Sequence, residues 1–158
     1  MSAHIILSLF VLSSLLHAVN LPGWREDSTV CFSGSAETKD ELYEMIDGGA
    51  TLYINNGFKS ARFTGLSDGH HKICFESFVL KDNKSARAVM SAVDANSGFY
   101  LAGVGDTARM DTTLYADAVL EMVTGSRFLR FTSLNARDSA ALSALKMLGV
   151  LNLSLIHI

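Results

Sequence analysis

The chain has a single proline, Pro22, and no proline-rich or low-complexity linker, and it contains no internal repeat. A repeat architecture is therefore excluded, and one domain suits a length of 158 residues. Strong charge of either sign is missing: 13 Lys and Arg stand against 16 Asp and Glu, a formal net charge of -3. A nucleic-acid binder would show a basic face, so that class is set aside. Cysteine is sparse, with Cys31 and Cys74 only. Neither has a second thiol or a histidine at ligand spacing, which removes a zinc site.

Several catalytic signatures are also missing. Gly-x-Ser-x-Gly does not occur. Gly103-Val104-Gly105 lacks the third glycine of a dinucleotide fingerprint and opens no clear helix. His70 and His71 are adjacent, so on a strand they point to opposite faces and do not share one ion. His17 and His157 belong to the terminal segments discussed below. Nothing places a base beside either cysteine. The expectation is no metal and no cofactor. Arg109, Arg127 and Arg130 scatter along sheet-forming segments; a ligand-binding cluster is one reading, and exposed strand positions are the preferred one.

What is present is apolar: 49% of the residues, enough for a packed core. Ile5 to Leu16 is an apolar run interrupted only by serines, followed by His17 and Ala18. The run is shorter than the ~20 residues of a membrane-spanning helix. It suits a secretory signal peptide over residues 1–18, with Ala18 last before cleavage. An uncleaved membrane anchor is the alternative, since no Lys or Arg precedes the run and Leu16 is large for its position. After export, Cys31 and Cys74 would enter an oxidising space, where a disulfide is possible. Two buried small hydrophobes are the other reading. At the far end, residues 153–158 (LSLIHI) read as a translated sequencing adaptor rather than natural chain, with a natural apolar tail as the alternative.

Between these ends, Thr38-Lys39-Asp40-Glu41 is a capping-box pattern opening a short helix with Leu42, Met45 and Ile46 on one face. Gly48-Gly49 stops it, and a second helix follows with Ala50, Tyr53 and Ile54 inward and Gly57 as its stop. The period then changes to two. Ser60–Thr64 and Lys72–Leu80 read as strands about a turn at Ser67-Asp68-Gly69, the second apolar on both faces and hence central. Asp82-Asn83 caps a helix bearing Ala86, Val89, Met90 and Val93, ended by Asn96-Ser97-Gly98. Phe99–Asp111 is glycine-punctuated and gives no clear element. Tyr115–Val123 and Arg127–Ser133 form a hairpin about Thr124-Gly125-Ser126, and Asn135 opens a last helix closed by Gly149. The sum, over residues 21–150, is α+β: a twisted, mainly antiparallel sheet with helices packed on it.

The segment ELYEMIDGGATLYINNGF, Glu41 to Phe58, is the candidate site. Asp47 could present a carboxylate as metal ligand or general base on a tight corner. The structural reading makes it the N-cap of the second helix, with Gly48 and Gly49 supplying a backbone shape other residues resist. Tyr43 and Tyr53 flank the corner as pocket lining or as core rim.

Leu21-Pro22-Gly23-Trp24, Leu42-Tyr43, Ile46-Asp47-Gly48-Gly49-Ala50, Leu52-Tyr53 and Gly57-Phe58 together resemble an uncharacterised bacterial family of exported proteins, domain of unknown function 6599. Ile73–Leu80 is similar to that family's apolar strand and Ser85-Ala86 to its alanine-bearing segment. Gly103–Asp106 and Thr124–Arg130 are similar to its later glycine turn and hairpin. The resemblance runs from Leu21 to about Leu148, departing from the family pattern over Val89–Tyr100. Members often continue into a further segment, which agrees with the adaptor reading of the tail. The resemblance implies export and fold; it implies no reaction and transfers no catalytic residue.

The functional expectation is an exported, non-catalytic module, periplasmic or extracellular. It would bind a small molecule or an envelope protein around Tyr43, Asp47 and Tyr53, and touch membrane only if the N-terminal segment stays uncleaved. The alternative is a secreted hydrolase-like enzyme using Asp47 as acid or base. A third reading is a structural module of a larger envelope protein.

Overall fold

The computed structural model describes residues 23–93, 98–112 and 117–134. The expected signal peptide over 1–18, the helix from Asn135 and the segment 153–158 lie outside the described residues, as do Asn96, Ser97 and Tyr115.

Local chemistry sets the helices. α1 (Lys39–Ile46) opens on Thr38, whose hydroxyl accepts from the Glu41 amide at 3.3 Å, while the Glu41 carboxylate accepts from the Thr38 amide at 2.9 Å. Both halves of the capping box are therefore made. A 3₁₀ turn over Asp47–Gly49 leads into α2 (Ala50–Asn55), and Gly57 stops the chain at φ 77°. There the left-handed backbone favours glycine, and an added Cβ would sit 2.8 Å from the Lys81 side chain. α3 (Asn83–Ala92) is capped by the Asp82 carboxylate, which accepts from the Ser85 amide at 2.8 Å.

Among the described residues, eight strands make one antiparallel sheet: β1 (Arg25–Glu26), β2 (Gly34–Ala36), β3 (Ser60–Ser67), β4 (Lys72–Val79), β5 (Phe99–Leu101), β6 (Thr107–Asp111), β7 (Ala118–Thr124) and β8 (Arg127–Leu134). Their order is β1-β3-β4-β8-β7-β6-β5, with β2 also on β3. The fold class is thus α+β, as the periodicity predicts. β4 is central, between β3 and β8. β3 runs to Ser67, three residues past the predicted Thr64, because it stays paired up to the turn at Asp68. The glycine-punctuated stretch resolves into β5 and β6. These are short strands joined by a loop containing Gly103 and Gly105, both at positive φ.

The sheet has two unlike faces. Phe75, Leu66, Ile73, Met110, Leu120, Met122, Leu129 and Phe131 form one apolar cluster. The opposite face packs Phe63, Phe78, Val123 and Phe128 against Leu42, Ala50, Tyr53, Ala86, Val89 and Met90 of the helices. All three helices therefore bury their apolar stripes on the same side. Among the described residues no helix is long and apolar enough to cross a membrane.

Candidate functional site

The sequence-predicted corner does not assemble a site. Tyr43 is exposed, and its hydroxyl lies 3.2 Å from that of Thr51. Tyr53 points the other way: it is buried, stacked on Phe78 with ring centroids 3.7 Å apart. Burial pushes the Tyr53 hydroxyl up to about 12, with Arg130 opposing the shift. Asp47 is exposed between them.

The cap expected of Asp47 needs correction. It is the last cap of α1, its amide donating to the Tyr43 carbonyl, whereas Gly49 precedes α2 without any side-chain cap. Asp47 itself carries the unusual backbone, at φ 47°. Gly48 and Gly49 do not adopt positive φ, and a Cβ added at Gly48 would meet nothing within 4 Å. The unusual backbone expected of the glycines falls on the aspartate, at φ 47° and ψ -130°, outside the small left-handed helical region that Asp and Asn tolerate.

Ionisable groups converge elsewhere, on the helix-covered face. The pairing register sets Glu76 opposite Arg130, Arg130 opposite Glu121, and Glu121 opposite Arg109. Four adjacent strands thus carry a row of alternating charge. Arg130 Nε and Nη2 donate to Glu121 Oε1 at 3.1 and 3.0 Å, and its Nη1 donates to Glu76 Oε2 at 3.3 Å. Arg109 Nη2 donates to Glu121 Oε2 and to the Val93 carbonyl at 2.6 Å, closing the C-terminal end of α3. The reading of Arg109 and Arg130 as exposed strand positions is corrected: Arg109 is buried and Arg130 half-buried. Arg127 is exposed, as expected.

The row is closed at one end and open at the other. Side-chain exposure is 5% at Arg109 and 10% at Glu121, but 24% at Arg130 and 29% at Glu76. Burial raises the Glu76 carboxyl above its usual value, and the attraction of Arg130 offsets only part of that. Glu76 is surrounded on the sheet by four neighbours. Phe63 and Arg130 lie across the strands, Cys74 and Phe78 along β4.

Cys74 is bonded to Cys31, with Cα atoms 6.0 Å apart. The loop it anchors lies directly on the sheet: the Asp27 amide donates to the Gly65 carbonyl at 2.8 Å, and a Cβ at Gly65 would come within 2.2 Å of the Asp27 carbonyl oxygen. Only glycine allows that approach. The next residue along the loop, Phe32, is 59% exposed and its ring centroid is 6.0 Å from that of Phe63. The disulfide therefore ties the loop that carries this exposed ring to β4, the strand that carries Glu76, with Phe63 lying between the ring and Glu76.

The histidine pair behaves differently. His70 is exposed, while His71 Nδ1 lies 2.9 Å from Asp68 Oδ2 and its ring leans on Trp24. Partial burial works to raise the Asp68 carboxyl, but hydrogen bonds from the His71 amide and ring and the His70 amide outweigh it and hold it at about 2. This is a turn clasp. Among the described residues no group of three or more His, Cys, Asp or Glu is arranged to hold a metal ion.

No single-residue pattern announces the row. Its only sequence signal is period-two placement: Glu121 and Arg130 each sit between two apolar residues, and Glu76 sits between Phe75 and Ser77. No family model, curated protein or solved structure matches the chain.

Proposed function

We propose that this is an exported, non-catalytic α+β module of the cell envelope that binds a ligand at the open end of the charged row. The supporting observation is the Cys31–Cys74 disulfide, which ties the loop bearing exposed Phe32 to β4, where Glu76 pairs with Arg130 and both stay partly open. A bond of this kind persists in oxidising compartments, which fits export. The opening-motif resemblance to an exported family supports the same location. An apolar and aromatic surround with a few convergent polar groups is the usual make-up of a ligand site. Asp47 stands exposed at the corner, away from the row, which favours binding over acid–base chemistry there.

The export half is tested by secreting the chain into a bacterial periplasm. The expected product is lighter by two hydrogens than the reduced form. Cys31→Ser with Cys74→Ser should lose ~4 kcal/mol of stability in the chain-entropy picture. The binding half is tested by thermal shift across a small-molecule library. A true ligand raises the melting temperature as its concentration passes Kd. At a fixed ligand concentration the shift should shrink in Phe32→Ala and persist in Asp47→Asn. Turnover of a hit that Asp47→Asn abolishes would replace this reading with the hydrolase.

A further inference from the structure

We propose that the open end of the row recognises a neutral polyhydroxylated ligand, a glycan segment, held by Glu76 and Arg130 with its ring face against Phe32. This rests on the binding reading above and specifies its chemistry.

Charge balance disfavours a simple cation or a simple anion. Arg130 faces Glu76 at 3.3 Å, so a cation approaching the carboxylate meets the guanidinium, and an anion approaching the guanidinium meets the carboxylate. A neutral group carrying both a donor and an acceptor satisfies each at once. The capacity for this is present. Glu76 accepts one hydrogen bond, from Arg130 Nη1, and an ionised carboxylate has about four acceptor sites. Arg130 uses three N–H donors within the row, of the roughly five that a guanidinium carries. A pair of neighbouring hydroxyls matches this: one O–H donates to a Glu76 oxygen, and the oxygen of the next accepts from Arg130.

An extended peptide fits less well. Peptides add to sheets through free backbone edges. Glu76 lies on β4, whose two sides are already bonded to β3 and β8. Recognition must therefore go through side chains. The ring of Phe32, 59% exposed and pinned by the neighbouring disulfide, gives a rigid flat apolar surface at the rim. The C–H face of a sugar ring is the complementary shape. Because Cys31 is bonded to Cys74, two residues from Glu76 on β4, the platform and the polar pair are preorganised together.

The test titrates the full chain, disulfide intact, with maltotetraose, cellotetraose and the N-acetylglucosamine tetramer, followed by amide chemical shifts. An uncharged tetrapeptide and a lysine-rich peptide serve as comparison probes. The expected result is that a neutral oligosaccharide shifts the amides of β4, β8 and the Cys31–Phe32 loop, with affinity insensitive to salt. Glu76→Gln and Phe32→Ala should each weaken it by about tenfold. Phe32 is a surface residue, so its loss leaves the melting temperature close to wild type and separates binding from folding. If the sugars bind and neither substitution matters, the site assignment is overturned. If only a peptide or a charged small molecule shifts these residues, the glycan class falls and the binding reading stands. If none of the five probes binds and the library yields no ligand either, both fall.

Discussion

The two faces of the sheet solve burial in opposite ways. One is an apolar cluster spanning β3, β4, β8, β7 and β6, in which Leu66, Ile73, Leu120, Met122 and Phe131 have no polar requirement. The other starts as an aromatic floor under the helices and then changes to a four-residue ionic row. The apolar face gains free energy from contact area alone, and a lost side chain costs in proportion to the space it leaves. The helix-side face works by complement. Each charge is tolerable only while its neighbour stays, because a stranded buried ion costs more than the pair contributes. The same strands thus carry a forgiving surface and an unforgiving one.

The sharpest way to break this contrast is Glu121→Ala. It leaves buried Arg109 with only backbone carbonyls and Arg130 with only Glu76, and ~3–5 kcal/mol should be lost, read by chemical denaturation. Leu120→Ala, one residue away on the apolar face, should cost ~2–5 kcal/mol by the cavity mechanism. The faces part when the partners are removed too. Glu121→Met with Arg109→Leu, Arg130→Met and Glu76→Gln, which leaves no member of the row charged, should recover most of the loss, whereas no second substitution rescues Leu120→Ala except by refilling its volume. A quadruple variant as unstable as Glu121→Ala would erase the distinction.

Gly65→Ala tests the loop laid over the helix-side face. Its Cβ would meet the Asp27 carbonyl, which must move, and ~1–3 kcal/mol should be lost, comparable to overpacking. Phe32 would shift with the loop, visible as an altered ring contact with Phe63 in its proton chemical shifts.

The smallest effect is pH dependence, carried by Glu76 on the helix-side face and by Asp68 in the turn between β3 and β4. The folded chain binds the Glu76 proton more tightly than the unfolded chain does, because its pKa is raised. That contribution is fully present below the unfolded value of 4.5 and is lost as pH rises through the folded value. Asp68 has the reverse sign. Its folded value of about 2 lies under the ordinary 3.8, so its stabilisation is present above 3.8 and lost as pH falls toward about 2. Denaturation midpoints measured from pH 2 to 8 should lose their neutral-side decline in Glu76→Gln and their acid-side decline in Asp68→Asn. Leu120→Ala should lower the whole curve without changing its shape.

What was legible in the sequence was whatever depends on near neighbours. Thr38 and Asp82 cap their helices because the amides they serve are three residues away. The Gly125-Ser126 turn reads correctly because a two-residue hairpin needs a positive φ that glycine supplies, here 55°. β5 and β6 were not legible, since strands of three and five residues broken by glycines carry too little alternation. The row was not legible for a stronger reason. Glu76 and Arg130 are 54 residues apart, and their meeting depends on a register that no local pattern states. Asp47 drew attention through its neighbours, two glycines, although the geometry asked something of the aspartate alone. Spacing likewise left the pairing of Cys31 and Cys74 open, because two cysteines offer nothing to check a framework against.

The seam between β4 and β8 has a consequence for how the chain comes together. Every other pairing from β3 to β8 is a hairpin between consecutive strands, but at this seam α3 carries the chain across to the far edge and the meander β5–β6–β7–β8 walks it back. The molecule is therefore two locally zipped blocks joined by one long-range closure. During synthesis β4 waits with an open, apolar edge until the whole second block has emerged, so the slow step and the moment of greatest aggregation hazard coincide at that seam.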